Sequence, residues 1–203
     1  MSKKKLLAII LPCVAVLLVA VFLIVYFCCF YGDIYSKLNK IANKKYENLK
    51  IKVVTEQDGF ELTSSFDIKN TGNKSVINYS VQNFAPIGSD TAASDNDTVT
   101  SVGKVVLQGN KVVEQTGDKV DISFSNVTKL TLYFYESNFS GVKNENGLFS
   151  AKVTAPQRFM DAPSLVCTDM TVTFAYQNSA EYVIVIHYQS EGGASVTLTY
   201  TFS

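Results

Sequence analysis

From residue 51 to the C-terminus, apolar and polar residues alternate with a period of two. In residues 60–68, FELTSSFDI, one parity is mostly apolar and the other is polar, and residues 196–202, VTLTYTF, alternate in the same way. Successive side chains of a β-strand point to opposite faces, so this pattern predicts strands with one buried face.

Shorter runs of the same kind recur along the chain, and turn signals separate them. The further predicted strands are residues 74–84, 104–108, 111–115, 120–124, 129–135, 148–154, 170–176 and 182–187. The turn signals are Asp58-Gly59, Thr71-Gly72-Asn73, Gly109-Asn110, Thr116-Gly117-Asp118 and Glu191-Gly192-Gly193. Few gaps are long enough for a crossover helix, so we predict an all-β, antiparallel meander of about 9–11 strands, forming a curved half-barrel or a β-sandwich. Residues 88–100 read as a polar loop, and residues 156–164 as a short helical turn.

The N-terminal part of the chain is different, because residues 6–31 are apolar and uncharged. A helix of that length rises far enough to cross a hydrocarbon core of ~30 Å. The run is longer than the apolar part of a cleaved signal peptide, and no small-residue cleavage site follows it. We therefore predict four parts: a basic cytoplasmic tail (1–5), a transmembrane signal anchor (6–31), a juxtamembrane amphipathic helix (32–49) and an extracytoplasmic β domain (50–203).

Lysines flank the apolar run on both sides, so the positive-inside rule alone does not orient it. A short basic N-terminus before the first apolar run resembles an export signal, and long C-terminal domains cross the membrane largely regardless of charge. The expected location is the cell membrane, with a single pass, a cytoplasmic N-terminus and an extracytoplasmic C-terminal domain.

Residues 33–49, DIYSKLNKIANKKYENL, follow a helical period instead. The predicted apolar stripe consists of Ile34, Leu38, Ile41, Ala42, Tyr46 and Leu49. Because the opposite face is basic, two arrangements stay open. The apolar stripe docks on the β domain, or the helix lies against anionic lipid headgroups.

Charge and cysteine usage narrow the classes of function. The net charge is zero, but residues 1–50 carry eight lysines against Asp33 and Glu47, which leaves the remainder at −6. An acidic domain is unsuited to neutralising phosphates, so the charge excludes nucleic acid as a partner.

Only Cys167 lies in the β domain, so that domain has no internal disulfide, which favours a bacterial protein. Whether Cys28 or Cys29 carries a lipid stays open.

No residues form a recognisable catalytic or metal site. The only histidine is His187, within a predicted strand, and no CxxC or HExxH motif accompanies it. No G-x-S-x-G motif is present, and nothing in the sequence pairs Cys167 with His187. We predict no catalytic residues, metal ligands or cofactor and expect a protein that is not an enzyme.

Two groups of acidic residues are candidate sites. Asp90, Asp95 and Asp97 lack the regular ligand spacing of a calcium loop and read as solvated. A glycosidase needs two carboxylates close together in space, and nothing singles out such a pair among Asp58, Glu61, Asp67 and Asp169.

Five N-x-S/T triplets begin at Asn73, Asn78, Asn96, Asn126 and Asn138. In a eukaryotic secretory protein they would predict glycosylation. In a chain so rich in Asn, Ser and Thr, we interpret them as chance occurrences.

Aromatic residues crowd the region 133–139, where Tyr133, Phe134 and Tyr135 are consecutive. A strand with aromatic residues on both faces either packs between two layers or exposes one face to a ligand or partner. The first interpretation is a filled sandwich core, and the second is an exposed binding face.

A membrane-proximal helix at residues 35–49 precedes consecutive strands that begin IKVVTEQDGFELTSSFDIKN. The chain ends with MTVTFAYQN, YVIVIHYQS and SVTLTYTFS. This order resembles the half-barrel of the bacterial LolA/LppX-like lipoprotein carriers, in which a curved antiparallel sheet with a helical lid holds an acyl chain. The resemblance implies a concave apolar face and identifies no ligand residue.

Two functions follow as hypotheses. The first is a non-enzymatic, membrane-tethered β domain that binds an apolar, lipid-like ligand or an envelope protein. The second is a structural or adhesive β-sandwich that acts through its loops. A deep apolar cavity favours the first, and exposed aromatic residues at loop tips favour the second.

Overall fold

A computed structural model describes residues 33–84, 98–128, 130–177 and 181–203. Ten antiparallel strands form one sheet in the order β5-β4-β3-β2-β1-β10-β9-β8-β7-β6. The strands are β1 (Asn48–Gln57), β2 (Phe60–Thr71), β3 (Lys74–Phe84), β4 (Thr98–Gln108), β5 (Lys111–Gly117), β6 (Phe139–Glu145), β7 (Leu148–Val153), β8 (Cys167–Ala175), β9 (Tyr182–Ser190) and β10 (Ser195–Phe202). The helices are α1 (Ile34–Ala42), α2 (Phe124–Val127) and α3 (Pro156–Phe159), and Glu136–Asn138 form a 3₁₀ turn.

The chain builds this sheet from the middle outwards and then from the far edge back. Strands β1 to β5 run to one edge, and β6 to β10 run from the other edge until β10 pairs with β1. Residues 118–138, here called the crossing segment, join the two edges. Nine strand spacings of ~4.8 Å make the sheet ~43 Å wide. With α2 and the 3₁₀ turn at their helical rise, the 21 residues of the segment reach ~58 Å, so the segment is long enough to cross one face.

The predicted alternation sorts side chains between the two faces of the sheet. At the junction of β1 and β10, Leu49 lies opposite Phe202 and Ile51 lies opposite Tyr200. Leu49 and Phe202 are buried, whereas Lys50 between Leu49 and Ile51 is exposed on the other face. We call the face that carries Leu49 and Phe202 the inner face.

Two hairpin turns lie where an Asp-Gly or Asn-Gly pair adopts positive φ, and the first of them was predicted from the sequence. Asp58 and Gly59 have φ of 51° and 84° and close the β1–β2 hairpin. Asn146 and Gly147 do the same between β6 and β7, with φ of 51° and 76°. Asn-Gly and Asp-Gly suit two-residue hairpin turns because both central positions need positive φ.

Helix α1 docks on the β domain, which is one of the two arrangements left open by the sequence. Leu38 and Ala42 are fully buried, and Tyr35 stacks on Phe139 with ring centroids 6.0 Å apart. The helix is shorter than predicted and ends at Ala42. Asn43 caps its end with a backbone N–H bond to the Asn39 carbonyl.

The extension of this helix to residue 49 was therefore wrong. Leu49 belongs to β1, where it faces Phe202. Tyr46 lies beyond the helix, and its hydroxyl donates to the Ile41 carbonyl at 2.8 Å. Its ring packs on Phe202 with centroids 4.5 Å apart. Both residues do bury apolar surface, but from a turn and a strand.

The predicted antiparallel meander of about 9–11 strands is confirmed, with ten strands and four local corrections. Residues 120–124 and the described part of 129–135 are not strands; they belong to the crossing segment. Strand β6 was missed because, after Phe139, all of its residues are exposed. Residues 98–100 belong to β4, not to a loop. The described strands form one hydrogen-bonded sheet and not the two sheets of a sandwich.

The short helical turn predicted within residues 156–164 is confirmed as α3. Three predicted parts of the chain lie outside the described residues: the basic tail (1–5), the apolar run (6–31) and the remainder of the 88–100 loop. Among the described helices, none has the length and apolar character needed to cross a membrane.

Phenylalanine side chains fill the core on the β6–β9 side of the inner face. Phe134, from the crossing segment, is fully buried. Its ring centroid lies 5.3–5.8 Å from those of Phe139, Phe149, Phe159 and Phe174. Edge-to-face pairs at such distances are favourable beyond the area they bury. On this side of the sheet, the aromatic residues therefore form a filled core and not an exposed binding face.

Candidate ligand cavity

In the crossing segment, the buried side chains of Leu132 and Phe134 alternate with half-buried or exposed ones, but these residues belong to none of the described strands. Asn43 bonds both backbone groups of Leu132, with Nδ2 to the carbonyl at 2.7 Å and Oδ1 from the N–H at 3.1 Å. Asn39 bonds Phe134 in the same way, at 2.7 and 2.8 Å. Buried backbone groups need partners, and here side-chain amides provide them.

The spacing of the two asparagines explains why this arrangement fits. Residues 39 and 43 are one helical turn apart, which is ~6 Å along α1. Residues 132 and 134 are alternate buried positions of the crossing segment, and two positions of a strand-like chain span ~6.6 Å. The helix therefore presents amides at nearly the repeat of an extended chain.

Tyr133, between Leu132 and Phe134, has other hydrogen-bond partners than the two asparagines. The N–H of Tyr133 donates to the Phe159 carbonyl at 2.8 Å, and its carbonyl accepts from Asn138 Nδ2 at 3.0 Å. Every backbone N–H and C=O from 132 to 134 thus has a partner. This part of the crossing segment is held without belonging to the sheet.

The other end of the crossing segment is fixed at β3 and β4. The Tyr79 hydroxyl donates to the Asp118 carbonyl, and the Asp118 side chain accepts from the N–H of Val102 at 2.9 Å. The Tyr79 ring packs on Phe124 with centroids 5.2 Å apart. Gly103 permits this, because a Cβ there would collide with the Tyr79 phenol and the Thr116 carbonyl.

Between its two fixed ends, the crossing segment covers a cavity of about 530 Å³ on the inner face. The sheet contributes residues from β1, β2 and β10, and the crossing segment and the residues after α3 form the opposite side. Eight of the eleven lining side chains are apolar: Ile51, Val53, Phe66, Val127, Leu130, Leu132, Met160 and Leu198. We call this space the apolar cavity.

Three residues supply the polar groups of the apolar cavity. These are Thr131, Asp161 and Tyr200. Burial, with a smaller contribution from Tyr188, raises the pKa of Tyr200 to about 12. Its phenol therefore keeps its proton at neutral pH and can donate a hydrogen bond into the cavity. Asp161 is solvent-exposed, so the cavity reaches the surface beside it.

A second cavity of about 480 Å³ adjoins the first. It lies beside the C-terminal end of α1 and the β2–β3 and β4–β5 turns. Its polar lining consists of Asn43, Lys44, Lys45, Asn70, Asn73, Ser75, Asn110, Thr128, Thr131 and Tyr133. We call it the polar cavity.

A third hollow, of about 500 Å³, lies mainly on the outer face. Lys50 and Lys52 of β1 flank it, together with Asp67 and hydroxyl side chains such as Thr199 and Thr201. It has no enclosing segment among the described residues, since only sheet strands line it.

His187 lies on the outer face of β9, away from both inner cavities. Its Nδ1 is 3.1 Å from the Thr197 hydroxyl of the neighbouring strand. Cys167 is a half-buried free thiol, and burial raises its pKa. Neither residue lines the apolar or the polar cavity.

Of the four candidate carboxylates, Asp58 and Glu61 both line one open hollow of about 360 Å³ at the β1–β2 hairpin. The other two lie elsewhere: Asp67 is on the outer face of β2, and Asp169 pairs with Lys152 at 3.1 Å. The residues 90, 95 and 97 lie outside the described part. Within the described ranges, no group of three metal-binding side chains comes together.

Asn138 is fully buried, so its N-x-S triplet is not an accessible glycosylation site. Its Oδ1 has no hydrogen-bond partner among the described residues. Asn73 lies in the β2–β3 turn and Asn78 on the outer face of β3, while residue 96 is outside the described part.

The sequence did not indicate Asn39, Asn43 or Tyr200 as important residues. The two asparagines share one helical face, but nothing local shows that they bond residues 95 and 89 positions further along the chain. One available signal was overlooked: Asn146-Gly147 marks the β6–β7 hairpin and would have revealed β6.

Comparisons with known proteins identify no family. No protein-family model matches the chain, and no curated protein matches it. The ywiB protein from Bacillus subtilis is 15% identical over 81% of this chain and 97% of its own, with a TM-score of 0.18. The dehydratase domain from the CurF module of curacin polyketide synthase is 9% identical over 85% of this chain and 80% of its own, with a TM-score of 0.17. Likenesses this weak support no conclusion about fold or activity.

Proposed function

We propose that the chain is a membrane-anchored, extracytoplasmic, non-enzymatic domain that binds a lipid-like apolar ligand in the apolar cavity. The observation that carries the proposal is a space of about 530 Å³ on the inner face, where eight of the eleven lining side chains are apolar. Known small-molecule sites occupy ~300–1,000 Å³ and combine apolar walls with a few polar groups. Tyr200 is such a group here.

The arrangement of the cavity also fits a carrier. One wall of the cavity is the sheet, and the other is the crossing segment. Side-chain amides of α1 hold this segment, so it is not hydrogen-bonded to the strands of the sheet there. The proposal includes a sheet that curves around this segment as a half-barrel. In that form it retains the expected resemblance to LolA/LppX-like carriers.

A matched pair of substitutions tests the cavity. Val53 lines the apolar cavity, and Val54 is its neighbour on the opposite face of β1; both are half-buried. Full-length protein is delipidated in detergent and offered palmitic acid methyl ester, and the bound fraction is measured by native mass spectrometry. V53F should lose most binding because the new ring occupies the cavity, whereas V54F should bind as the parent does.

Thermal unfolding of both variants shows whether either has lost its fold. If V53F disrupts folding, L198F, which fills the cavity from β10, replaces it. Undiminished uptake in a folded V53F or L198F protein, or no uptake of either the ester or free palmitic acid by the parent chain, would refute the ligand proposal.

Membrane attachment is tested separately in bacterial cells that produce the full chain. The protein should stay with the membrane pellet at alkaline pH, where peripheral proteins are released. A protease added outside spheroplasts should remove an epitope placed after Ser203. Release from the pellet would contradict the anchor through residues 6–31, and a protected epitope would contradict the orientation.

One observation favours the adhesive alternative. Phe60 and Phe84 are 36% and 42% exposed and form an edge-to-face pair with centroids 6.2 Å apart. Phe60 directly follows the β1–β2 turn. Exposed aromatic residues are typical of contact sites on partner proteins. A Phe60→Ser, Phe84→Ser protein that loses attachment to envelope proteins while it still binds lipid would support a partner-binding role.

A further inference from the structure

The apolar and polar cavities meet at one part of the crossing segment. Leu130 and Thr131 line both of them. Most of the lining side chains are therefore of apolar residues in the first cavity and of polar residues in the second, and the two cavities share two residues. An amphiphile has the same division, since its hydrocarbon tail and its head group differ in the same way.

The charges differ between the two cavities as well. Lys44 and Lys45 line the polar cavity, and its described lining includes no carboxylate. Lys45 Nζ donates to the Gly72 carbonyl at 2.5 Å, which uses one of its three donors. Among the described residues that line the apolar cavity, Asp161 is the only charged one, and it lies at the exposed opening.

These charges give a bound amphiphile a direction. An anionic head at the Asp161 opening would lie beside a carboxylate, which is unfavourable. In the polar cavity the same head would receive charge-assisted hydrogen bonds from lysine ammonium groups, with amide and hydroxyl donors such as Asn73 and Tyr133 nearby.

We infer that the ligand is an anionic amphiphile, with its acyl chain in the apolar cavity and its carboxylate or phosphate head in the polar cavity at Lys44 and Lys45. This inference rests on the proposed function, because it assigns a ligand class to the same site. It also gives the basic residues after α1 a role in recognising the ligand.

The test is a direct competition between two matched probes. Delipidated full-length protein in detergent is mixed with equal amounts of palmitic acid and its methyl ester, at a pH where the acid is ionised. Native mass spectrometry resolves the two complexes by mass. We expect the acid complex to dominate about tenfold, which corresponds to ~1.4 kcal/mol.

Substitutions then locate the preference. The double variant K44Q/K45Q should bind acid and ester about equally, while the control K40Q/K143Q changes the same charge at exposed lysines that line neither cavity. Equal binding of the two probes by the parent chain would overturn the head-group inference. A preference that survives K44Q/K45Q would overturn it too.

The design separates this inference from the proposed function. Ester binding that V53F abolishes supports the apolar cavity whatever the acid does, and failure of both probes removes both proposals. Displacement of bound palmitate by lysophosphatidylglycerol supports a phosphate head, and displacement by a second fatty acid alone supports a carboxylate. Displacement by neither competitor overturns a reversible anionic site.

Discussion

The side-chain amide of Asn39 makes two hydrogen bonds to the backbone of Phe134, 95 residues away in sequence, at 2.7 and 2.8 Å. Through this contact, helix α1 fixes the position of a buried aromatic residue at the centre of the phenylalanine core. The neighbouring Asn43 repeats the contact at Leu132, which lines the apolar cavity. The helix therefore determines where one wall of the cavity lies.

Replacing Asn39 by alanine should cost about 2–3 kcal/mol of unfolding free energy. The substitution leaves both the N–H and the carbonyl of Phe134 without their partner, and each buried unpaired group costs ~1–3 kcal/mol. The control is N83A, at an exposed position of β3, which should change stability by less than ~0.5 kcal/mol. Denaturant unfolding of the full chain in detergent measures both. Equal effects would show that the amide pair adds nothing to stability.

The Phe134 ring itself should be among the most sensitive positions. Removing a fully buried phenylalanine costs ~3–5 kcal/mol, because a cavity remains where the ring was. F84A removes an exposed ring of the same size and should cost far less. The difference in denaturation midpoint between F134A and F84A measures this, and similar midpoints would contradict the described core.

Gly103 should be required for its lack of a side chain. In G103A the new Cβ meets the Tyr79 phenol and the Thr116 carbonyl, so the Tyr79 bond to Asp118 should be displaced. We expect a loss of ~1–3 kcal/mol, as for other overpacked sites. Gly192 is the control, since its nearest neighbour to an added Cβ is 4.0 Å away. A tolerated G103A with an unchanged melting temperature would contradict the tight approach of Tyr79.

Stability should fall at alkaline pH, partly because of Tyr200. Burial holds the pKa of its phenol at about 12, while in the unfolded chain the value is near 10. Between about pH 10 and 12 the unfolded state loses this proton first, so the contribution is intact below pH 10 and lost as the pH rises towards 12. Y200F should lose less stability than the parent between pH 9 and 11. An identical pH dependence of the unfolding free energy in both proteins would argue against a buried phenol.

Much of the sheet was predictable, because alternation and turn residues are local signals. The strand containing residues 60–68 and the turn at Asp58-Gly59 were both placed correctly. The same alternation misled at residues 120–124 and 129–135. A period of two indicates an extended backbone with one buried side. It does not show which groups hydrogen-bond the backbone N–H and C=O groups. Here the partners of residues 132 and 134 are asparagine side chains of a helix.

Strand β6 was missed for a complementary reason. It is an edge strand with a bulge between Ser140 and Lys143, and nearly all of its side chains are exposed. Such a strand does not need alternate buried side chains, so in the sequence only the Asn146-Gly147 turn indicates that it is present. The apolar cavity lay beyond prediction because its walls come from distant parts of the chain, from Ile51 to Tyr200.

The most direct test of the central claim is the native mass of the full chain after gentle extraction from the membrane of cells that produce it. The account predicts a noncovalent complex whose extra mass is that of an acyl amphiphile, and which V53F reduces while V54F does not. A bare polypeptide mass that stays unchanged after incubation with membrane lipids would contradict the claim and would turn attention to the Phe60–Phe84 surface.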